Sequence, residues 1–444
     1  MSPASQDPTA RPRTPKRRTR RILLALAIVL ALAAWAIMWR PALDPQAAAP
    51  AFDAATIERG QRLAAVGTCA ACHTVDPSRP YAGGRALATP FGTVYSTNIT
   101  PDARTGIGQW SEAAFTRALR EGVSRDGHLL YPAFPYDHYT QLAQDDIRAM
   151  YAWFMTRPAL EAPAHENAMT FPFGVRPLLA FWNILYLKRE PWRPVAGQSA
   201  EWNRGAYLSV ALAHCTACHT PRTKLGGTDF SRHLDGGEAE GWYVPALNEH
   251  NPSPVFWTQE HLAEYLRTGI APDHAVAGGP MQATVENLRL ADPKDVDAIA
   301  TYIHSYLAKA PLRETPAGKP GSQPGSLPAP AANDPDLARM QAGYAVYASS
   351  CARCHEIGRE ATSGAALQLQ KAVALYDPDP RSLIHIVRDG IAPPDGEPAR
   401  WMPAFGTILT DEQTAALAAY LRRYGAGQPQ WAHIEDAVKK ARQP

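Results

Sequence analysis

The sequence has few cysteines and lacks the motifs on which many enzymes build a catalytic centre. Only six cysteines occur in its 444 residues. It contains no glycine-rich dinucleotide motif after a strand, no H-E-x-x-H zinc motif and no nucleophile elbow. We therefore expect no independent catalytic site of these kinds. The length predicts two to four domains rather than a single core.

Charge is also scarce, and it is unevenly distributed. Charged residues make up 19% of the chain, and the net charge is +2. Residues 1–21 hold seven basic residues and one acidic residue, which leaves residues 22–444 with a net charge of −4. Because the chain beyond its basic tail is mildly acidic, nothing in it indicates nucleic-acid binding.

The six cysteines fall into three C-x-x-C-H motifs, and no cysteine is left over. This motif is the attachment signature of c-type haem, in which two thiols add to the vinyl groups of one porphyrin and the histidine binds the iron. The sequence therefore predicts three covalently bound haem c groups. The expected attachment residues are Cys69, Cys72, Cys215, Cys218, Cys351 and Cys354, and the expected proximal iron ligands are His73, His219 and His355.

Two other uses of paired cysteines fit the sequence less well. A zinc ribbon needs two C-x-x-C pairs about 15–20 residues apart, whereas well over a hundred residues separate one pair from the next in this chain. A thioredoxin-like dithiol does not need a histidine directly after its second cysteine, yet all three motifs have one. We therefore favour haem attachment.

Each motif lies in a repeat of similar design. A predicted helix with a glycine precedes the first cysteine, and an amphipathic helix with an alanine and an aromatic residue four positions later closes the repeat. Positions i and i+4 lie on one helix face, so these residues permit two helices to cross closely. The three sets are Gly60 with Ala149 and Trp153, Gly205 with Ala298 and Tyr302, and Gly343 with Ala416 and Tyr420.

The repeats resemble small cytochrome c domains. They predict an all-α fold of three tandem cytochrome c domains behind one N-terminal transmembrane helix. The predicted boundaries are a cytoplasmic basic tail at 1–21, an anchor at 22–39, domains at 54–160, 199–310 and 336–425, a connector at 161–198, a Pro-rich linker at 311–335 and a C-terminal tail at 426–444.

Residues 22–39 form an uncharged apolar run. As a helix it would be about 27 Å long, close to the apolar thickness of a bilayer. The excess of basic residues before it predicts a cytoplasmic N-terminus and haem domains on the periplasmic side of the inner membrane. The alternative is a cleaved signal peptide with a cleavage site near Ala47–Ala49. We favour an uncleaved anchor because the run exceeds the usual signal core of about 7–15 residues.

The connector contains a second apolar run, residues 178–187. Ten residues are too few to span a bilayer, so we expect a short helix that docks the first two domains. The alternative is a surface that meets the membrane or a partner subunit.

The second axial ligand of each iron is expected just before the closing helix of its repeat. Met281 in Gly-Gly-Pro-Met and Met402 in Trp-Met-Pro-Ala-Phe occupy this place in the second and third repeats. A methionine thioether favours ferrous iron and raises the reduction potential. We therefore predict His/Met ligation for these two haems.

The first repeat has Phe134 at the corresponding place, and phenylalanine cannot bind iron. His138, four residues later, is the favoured replacement. The other candidates are His128, Met150, Met155 and an open iron. Bis-histidine ligation would make the first haem the lowest in potential, and so an entry or exit point for electrons.

Residues 54–425 resemble the tri-haem cytochrome c subunits of bacterial membrane-bound dehydrogenases, such as those that oxidise alcohols, gluconate and aldehydes. The segments that carry the resemblance are Ser96–Pro101, Thr105–Trp110, Glu121–Gly127, Gly279–Met281 and Met402–Phe405. That family usually has Met-Pro-Tyr where this chain has Phe134-Pro135-Tyr136. The Phe-Pro-Tyr-Asp-His form and the tail at Gln428–Trp431 are similar to the branch that accompanies molybdenum hydroxylases of the nicotinate or isoquinoline type.

The resemblance implies an electron-transfer subunit. A partner dehydrogenase, with a molybdenum hydroxylase favoured, would supply electrons, and a quinone, a terminal oxidase or another cytochrome would accept them. The alternative is a haem enzyme of the peroxidase or reductase kind that uses an open first haem, and Phe134 is the residue that keeps this alternative open.

Overall fold

The computed structural model describes residues 17–47, 50–271, 273–311, 326–356, 366–393 and 402–442. Residues 1–16 of the predicted basic tail, Ala48 and Ala49 at the alternative cleavage site, and residues 312–325 of the Pro-rich linker lie outside them. The described residues are mostly helical, which confirms the predicted class. Three small antiparallel sheets are an addition that the sequence analysis did not predict.

The first repeat follows a long N-terminal helix and ends in the connector. Asp53 begins α2 by accepting a hydrogen bond from the backbone N–H of Thr56, which stabilises the free donors of the first turn. The elements are α1 (Arg17–Met38), α2 (Ala54–Val66), α3 (Cys69–His73), β1 (Ala86–Thr89), β2 (Gly92–Tyr95), α4 (Glu112–Glu121), α5 (Tyr136–Tyr139), α6 (Gln144–Met155), β3 (Ala168–Met169) and α7 (Leu179–Tyr186).

The second repeat has the same order of helices. Ser199 caps α8, which continues through a π-helical turn at Leu208–Leu212. The elements are α8 (Ala200–Tyr207), α9 (Cys215–His219), β4 (Gly237–Ala239), β5 (Trp242–Val244), α10 (Gln259–Thr268), β6 (Ile270–Ala271), β7 (Ala275–Val276), α11 (Pro280–Leu288) and α12 (Pro293–Leu307).

The third repeat is shorter. A π-helical turn at Tyr347–Cys351 leads directly from its first helix into its cysteine motif. Thr410 and Gln413 form a reciprocal capping box at the start of its closing helix. The elements are α13 (Leu337–Val346), α14 (Ala352–His355), α15 (Arg381–Asp389), α16 (Asp411–Tyr420) and α17 (Ile434–Lys440).

In each repeat the glycine helix crosses the closing helix at very short range. A β-carbon placed on Gly60 would lie 1.9 Å from the carbonyl oxygen of Ala149, and one on Gly343 would lie 2.2 Å from that of Ala416. Such distances exclude any side chain at these positions. The crossing that we predicted from the glycine and alanine pattern is therefore confirmed.

The first two repeats share one hydrophobic core, which includes Leu63 and Tyr151 from the first and Leu212 and Ile299 from the second. The third repeat has its own core around Met340 and Tyr420. The connector therefore joins two repeats that pack against one another.

Helix α1 (Arg17–Met38) contains all of the apolar run at 22–39 except its last residue, Trp39. Within the described residues, however, the structure identifies no helix that is both long and apolar enough to cross a membrane. The predicted transmembrane segment at 22–39 is therefore not confirmed by the fold.

Candidate haem sites

The three cysteine motifs form short helices that turn sharply away from the helices before them. In the first two repeats the turn is made by a residue with left-handed backbone geometry, Thr68 (φ 50°) and His214 (φ 40°). In the third repeat the π-helical turn takes its place. All six thiols are free, so none of the pairs is a disulfide.

Burial affects the thiols of the motifs. It raises the pKa of Cys69 and of Cys215 to about 12 and that of Cys351 to about 11. Among the described residues no group of three or more histidine, cysteine or acidic side chains is arranged to hold a metal ion.

Each motif histidine has its ring fixed in the same way. The Nδ1 atom lies 2.6 Å from the carbonyl oxygen of Thr97 for His73, 2.9 Å from that of Pro245 for His219 and 2.9 Å from that of Leu367 for His355. An Nδ1–H that donates to a carbonyl leaves the lone pair on Nε2.

Burial also keeps these rings neutral. It lowers the pKa of His73 and of His355, and it lowers that of His219 to about 4. A neutral imidazole with a free Nε2 and a fixed orientation is the donor that haem iron requires. The residues present therefore fit a haem at each motif. The three carbonyl partners were not predictable from the sequence, because a backbone oxygen in a distant loop leaves no sequence signal.

The loops expected to supply the second iron ligand begin alike. Helices α4, α10 and α15 each end at a glycine with positive φ, namely Gly122, Gly269 and Gly390. The next residue pairs with a short antiparallel segment, and the pairs are Val123 with Leu129, Ile270 with Val276, and Ile391 with Met402.

Phe134 and Met281 occupy equivalent positions in their loops. Phe134 lies five residues after the paired Leu129, and Met281 lies five residues after the paired Val276. Met402 lies earlier, within the pairing itself, so the two methionines do not occupy the same register. Both methionines are half-buried and pack against the cores of their repeats. Phe134 packs against Tyr139, with 5.4 Å between the ring centroids.

His138 is almost completely buried in α5. Neither ring nitrogen has a hydrogen-bond partner among the described residues, although Nδ1 lies 3.1 Å from the Asp137 carboxylate. The ring packs against Phe230 of the second repeat, with 5.8 Å between the centroids. A buried nitrogen without a partner is costly and is accounted for if it binds a metal. The structure thus places His138 at the boundary between the first two repeats.

The other candidates for the first haem lie in different surroundings. His128 is partly exposed and pairs with Asp126 at 2.6 Å. Met150 is buried in the core of α6, and Met155 is half-buried against the same core.

The first and second motifs approach one another across the shared core. Arg85 donates to the carbonyl oxygen of Ala71, inside the first motif, at 2.6 Å and to the carboxylate of Glu240 in the second repeat at 2.7 Å. Burial raises the pKa of Cys72, Arg85 opposes this effect, and Glu240 and Cys218 add to it. Arg85 therefore links the cysteine motif of the first repeat to Glu240 of the second.

The third repeat docks on the methionine side of the second. Trp242 lies against Gly279, where a β-carbon would be 2.3 Å from the indole, and its ring stacks on His385 of α15 at 4.9 Å. Ile391, which pairs with Met402, lies 3.8 Å from the position that a β-carbon on Gly278 would occupy. The loops that carry the two predicted methionine ligands are therefore in contact.

Two family models of known proteins match parts of the chain. Residues 203–306 match the family model described as cytochrome c. Residues 338–421 match the model of subunit III of the cbb3-type cytochrome c oxidase. The matches cover the second and third repeats.

Similarity to individual proteins extends over most of the chain. It is 36% identical over 403 residues to the fructose dehydrogenase cytochrome subunit of Gluconobacter japonicus, covering 87% of this chain and 82% of that protein. It is 37% identical over 420 residues to the gluconate 2-dehydrogenase cytochrome c subunit of Pantoea cypripedii, covering 89% and 90%.

A third relative is longer. The chain is 41% identical over 419 residues to a subunit of the nicotinate dehydrogenase of Pseudomonas putida, covering 93% of this chain but 34% of that protein. The chain thus spans about a third of the length of this relative. The predicted resemblance is therefore confirmed. The chain belongs to the family of cytochrome c electron-transfer subunits of dehydrogenases.

Proposed function

We propose that the chain is a membrane-attached cytochrome with three haem c groups, which takes electrons from a partner dehydrogenase and passes them to the respiratory chain. The observation that carries this proposal is the threefold recurrence of a motif histidine whose Nδ1 faces a backbone carbonyl. In that geometry each motif has one Nε2 atom whose lone pair is free to bind iron.

The proposal assigns a role to each predicted site residue. Haem iron, when bound, changes between its ferric and ferrous states and so carries one electron. The attachment residues are Cys69, Cys72, Cys215, Cys218, Cys351 and Cys354, the proximal ligands are His73, His219 and His355, and the second ligands are His138, Met281 and Met402. The carbonyls of Thr97, Pro245 and Leu367 hold the proximal rings in orientation.

The contacts between repeats support an ordered route for electrons. The first two motifs meet through their cysteine sides, where Arg85 bridges Ala71 and Glu240. The second and third repeats meet through their methionine loops, around Trp242 and Ile391. Electrons would thus pass through the second repeat, between the first and the third.

The partner is proposed from the relatives. The names of those relatives include nicotinate, fructose and gluconate dehydrogenases. Because the branch-specific string Phe134–His138 is present, we favour a molybdenum hydroxylase of the nicotinate type over a sugar or alcohol dehydrogenase. A quinone, a terminal oxidase or a further cytochrome would accept the electrons.

Membrane attachment is proposed through α1, with the repeats on the periplasmic side of the inner membrane. The helix is 22 residues long, and the described apolar side chains along it, such as Leu24 and Leu32, are about 60% exposed. Side chains of this kind are stabilised by lipid rather than by water.

One purification tests the proposal. The protein is solubilised from membranes with a mild detergent, its intact mass is measured, and the large subunit that migrates with it is identified. We expect a mass increase equal to three haems and a co-migrating molybdenum enzyme. Fewer haems would contradict the assignment of three sites, and a protein that purified alone in full yield would contradict the partner.

A further inference from the structure

Helix α7 has the reverse polarity of an ordinary amphipathic surface helix, because its polar residue is buried and its large apolar residues are exposed. Its buried residues are Ala180 and Asn183, and the amide oxygen of Asn183 accepts a hydrogen bond of 2.7 Å from the hydroxyl of Tyr136. The large apolar side chains face outward, and Ile184 and Leu185 are 63% and 60% exposed. A helix with its polar residue inside and its apolar residues outside is stabilised by apolar surroundings.

The exposed apolar side chains extend along the connector before α7, beginning at Phe171, which is 87% exposed. We call the exposed apolar side chains between Phe171 and Leu185 the apolar face. The backbone beneath it is fixed to both neighbouring repeats. Arg176 donates to the carbonyl oxygen of Leu129 at 2.9 Å, and the indole of Trp182 donates to that of Leu225 at 3.0 Å. The apolar face is therefore a preformed surface.

The apolar face adjoins the base of α1. Met38, the last residue of α1, packs with Leu179 of α7 against a small buried cluster of Val123, Leu129 and Ala180. The chain after α1 is tied to the same part of the first repeat, because Arg117 donates to the carbonyl oxygen of Pro41 at 2.7 Å. The exposed apolar side chains of α1 and the apolar face therefore both begin beside this buried cluster.

Basic residues border this region. Lys188 and Arg189 lie two and three residues after the end of α7 and are exposed, and Arg189 is 3.8 Å from the carboxylate of Glu121. At a bilayer surface, lysine and arginine interact favourably with anionic headgroups, and an apolar helix face is buried about 5–10 Å deep between headgroups and acyl chains. The exposed Lys188 and the position of the apolar face beside the base of α1 together favour a lipid surface over a protein groove, which would also need a complementary apolar shape.

We propose that the apolar face lies in the interfacial layer of the bilayer that holds α1, so that the chain contacts the membrane at two places. This inference rests on the proposed membrane attachment. Because the connector is tied to both the first and the second repeat, a second contact would fix their orientation relative to the membrane.

Site-specific fluorescence on the full-length holoprotein tests the inference. One cysteine is introduced as Ile184→Cys in the apolar face, as Leu24→Cys in α1, or as Ile408→Cys in the third repeat, and it is labelled with an environment-sensitive dye. Ile408 is a matched control, because it is also isoleucine and is 66% exposed. Each labelled protein is reconstituted into phosphatidylcholine–phosphatidylglycerol vesicles with and without brominated acyl chains.

Brominated lipid should lower the fluorescence at position 184 about twofold or more relative to position 408, as expected for a group in the acyl boundary. Quenching at position 24 without quenching at 184 would overturn the inference and leave the membrane attachment intact. No quenching at either position would overturn both. Shielding of position 184 only after the purified dehydrogenase is added would assign the face to a protein partner and overturn the inference.

Discussion

The carbonyl oxygen of Ala298 lies 1.8 Å from the place where a β-carbon on Gly205 would be, so the two helices that carry these residues cross in backbone contact. Glycine in the middle of a helix costs about 1 kcal/mol relative to alanine. Its presence here is explained by the crossing, which no larger residue permits. The neighbour is a backbone atom of a buried helix and cannot move aside as a flexible side chain can.

We predict that Gly205→Ala destabilises the protein despite the better helix propensity of alanine. Overpacking of a close contact costs about 1–3 kcal/mol, and we expect a decrease in the free energy of unfolding of that size. Denaturant titration of the holoprotein measures it. Gly174→Ala is the control, because its nearest neighbour would be 3.7 Å away. Equal denaturation midpoints for the two variants would contradict the steric explanation.

Asp146 joins the first two repeats by charge. Its nearly buried carboxylate binds Arg59 at 2.5 Å and the hydroxyl of Tyr207 at 2.7 Å, and Arg204 lies 3.9 Å away. Burial raises the pKa of Tyr207, and the Asp146 carboxylate adds to this effect, so the phenol remains a donor. Asp295 repeats the pairing in the second repeat by binding Arg204 at 2.8 Å.

We therefore predict that Asp146→Asn lowers the free energy of unfolding by about 1–3 kcal/mol, because a charge-assisted hydrogen bond and a buried ion pair are both lost. The partial exposure of Arg59 and Arg204 keeps the effect below that of a fully buried pair. Asp145→Asn, one residue earlier and exposed, should change stability by less than about 0.5 kcal/mol. A similar loss in both variants would refute the specific role of Asp146.

Local patterns predicted the motifs and the helix crossings correctly, because their signals lie within one helix or one loop. The orientation of the motif histidines was not predictable, since the carbonyl of Thr97 lies 24 residues from His73 and that of Pro245 lies 26 residues from His219. Arg85 and Glu240 are 155 residues apart. Such contacts depend on tertiary packing, to which no local periodicity corresponds.

The shared core of the first two repeats is a second example. The apolar run of the connector predicted that the first two domains dock, but not which residues meet. Leu212 of the second repeat lies 3.2 Å from the position of a β-carbon on Gly67 of the first. One repeated signal was overlooked. An arginine precedes the crossing glycine, and an aspartate stands three residues before the crossing alanine, in both repeats. Arg59–Asp146 and Arg204–Asp295 are the resulting pairs.

Replacing either predicted methionine ligand should lower one reduction potential. A thioether favours ferrous iron, and axial ligands alter haem potentials over a range of about 0.8 V. We expect Met281→Leu and Met402→Leu each to lower the potential of one haem by about 0.1 V or more, in redox titrations followed by absorbance. Met150→Leu, in the core of α6, should leave all potentials unchanged. An unchanged titration of Met281→Leu would remove that residue from the ligand set.

Stability should fall in mild acid through His274. Burial lowers its pKa to about 4, Asp273 opposes the effect, and His261 and Lys371 add to it. The unfolded chain takes up a proton near the ordinary value of 6.5, whereas the native state does so only near 4. Stability is therefore lost as the pH falls from about 6.5 to 4, by up to about 3 kcal/mol.

His274→Gln should flatten this part of the pH profile, measured by denaturant titration between pH 4 and 7. His250→Gln provides the control. His250 is exposed, and the hydrogen bond to Asp235 raises its pKa. If the profile of His274→Gln were as steep as that of the unaltered protein, another group would be responsible for the acid sensitivity.

The first repeat is distinguished by Phe134 and by His138, whose buried Nε2 has no hydrogen-bond partner among the described residues. If Nε2 of His138 binds its iron, His138→Ala should open a coordination position, convert one haem of three to the high-spin state and permit carbon monoxide to bind there. His128→Ala is the control, because His128 pairs with Asp126 in the same repeat. Unaltered protein that binds carbon monoxide rapidly would instead support the haem-enzyme alternative. An unchanged low-spin spectrum in His138→Ala would assign the ligand to another residue and leave the buried nitrogens of His138 to pair with groups of the second repeat.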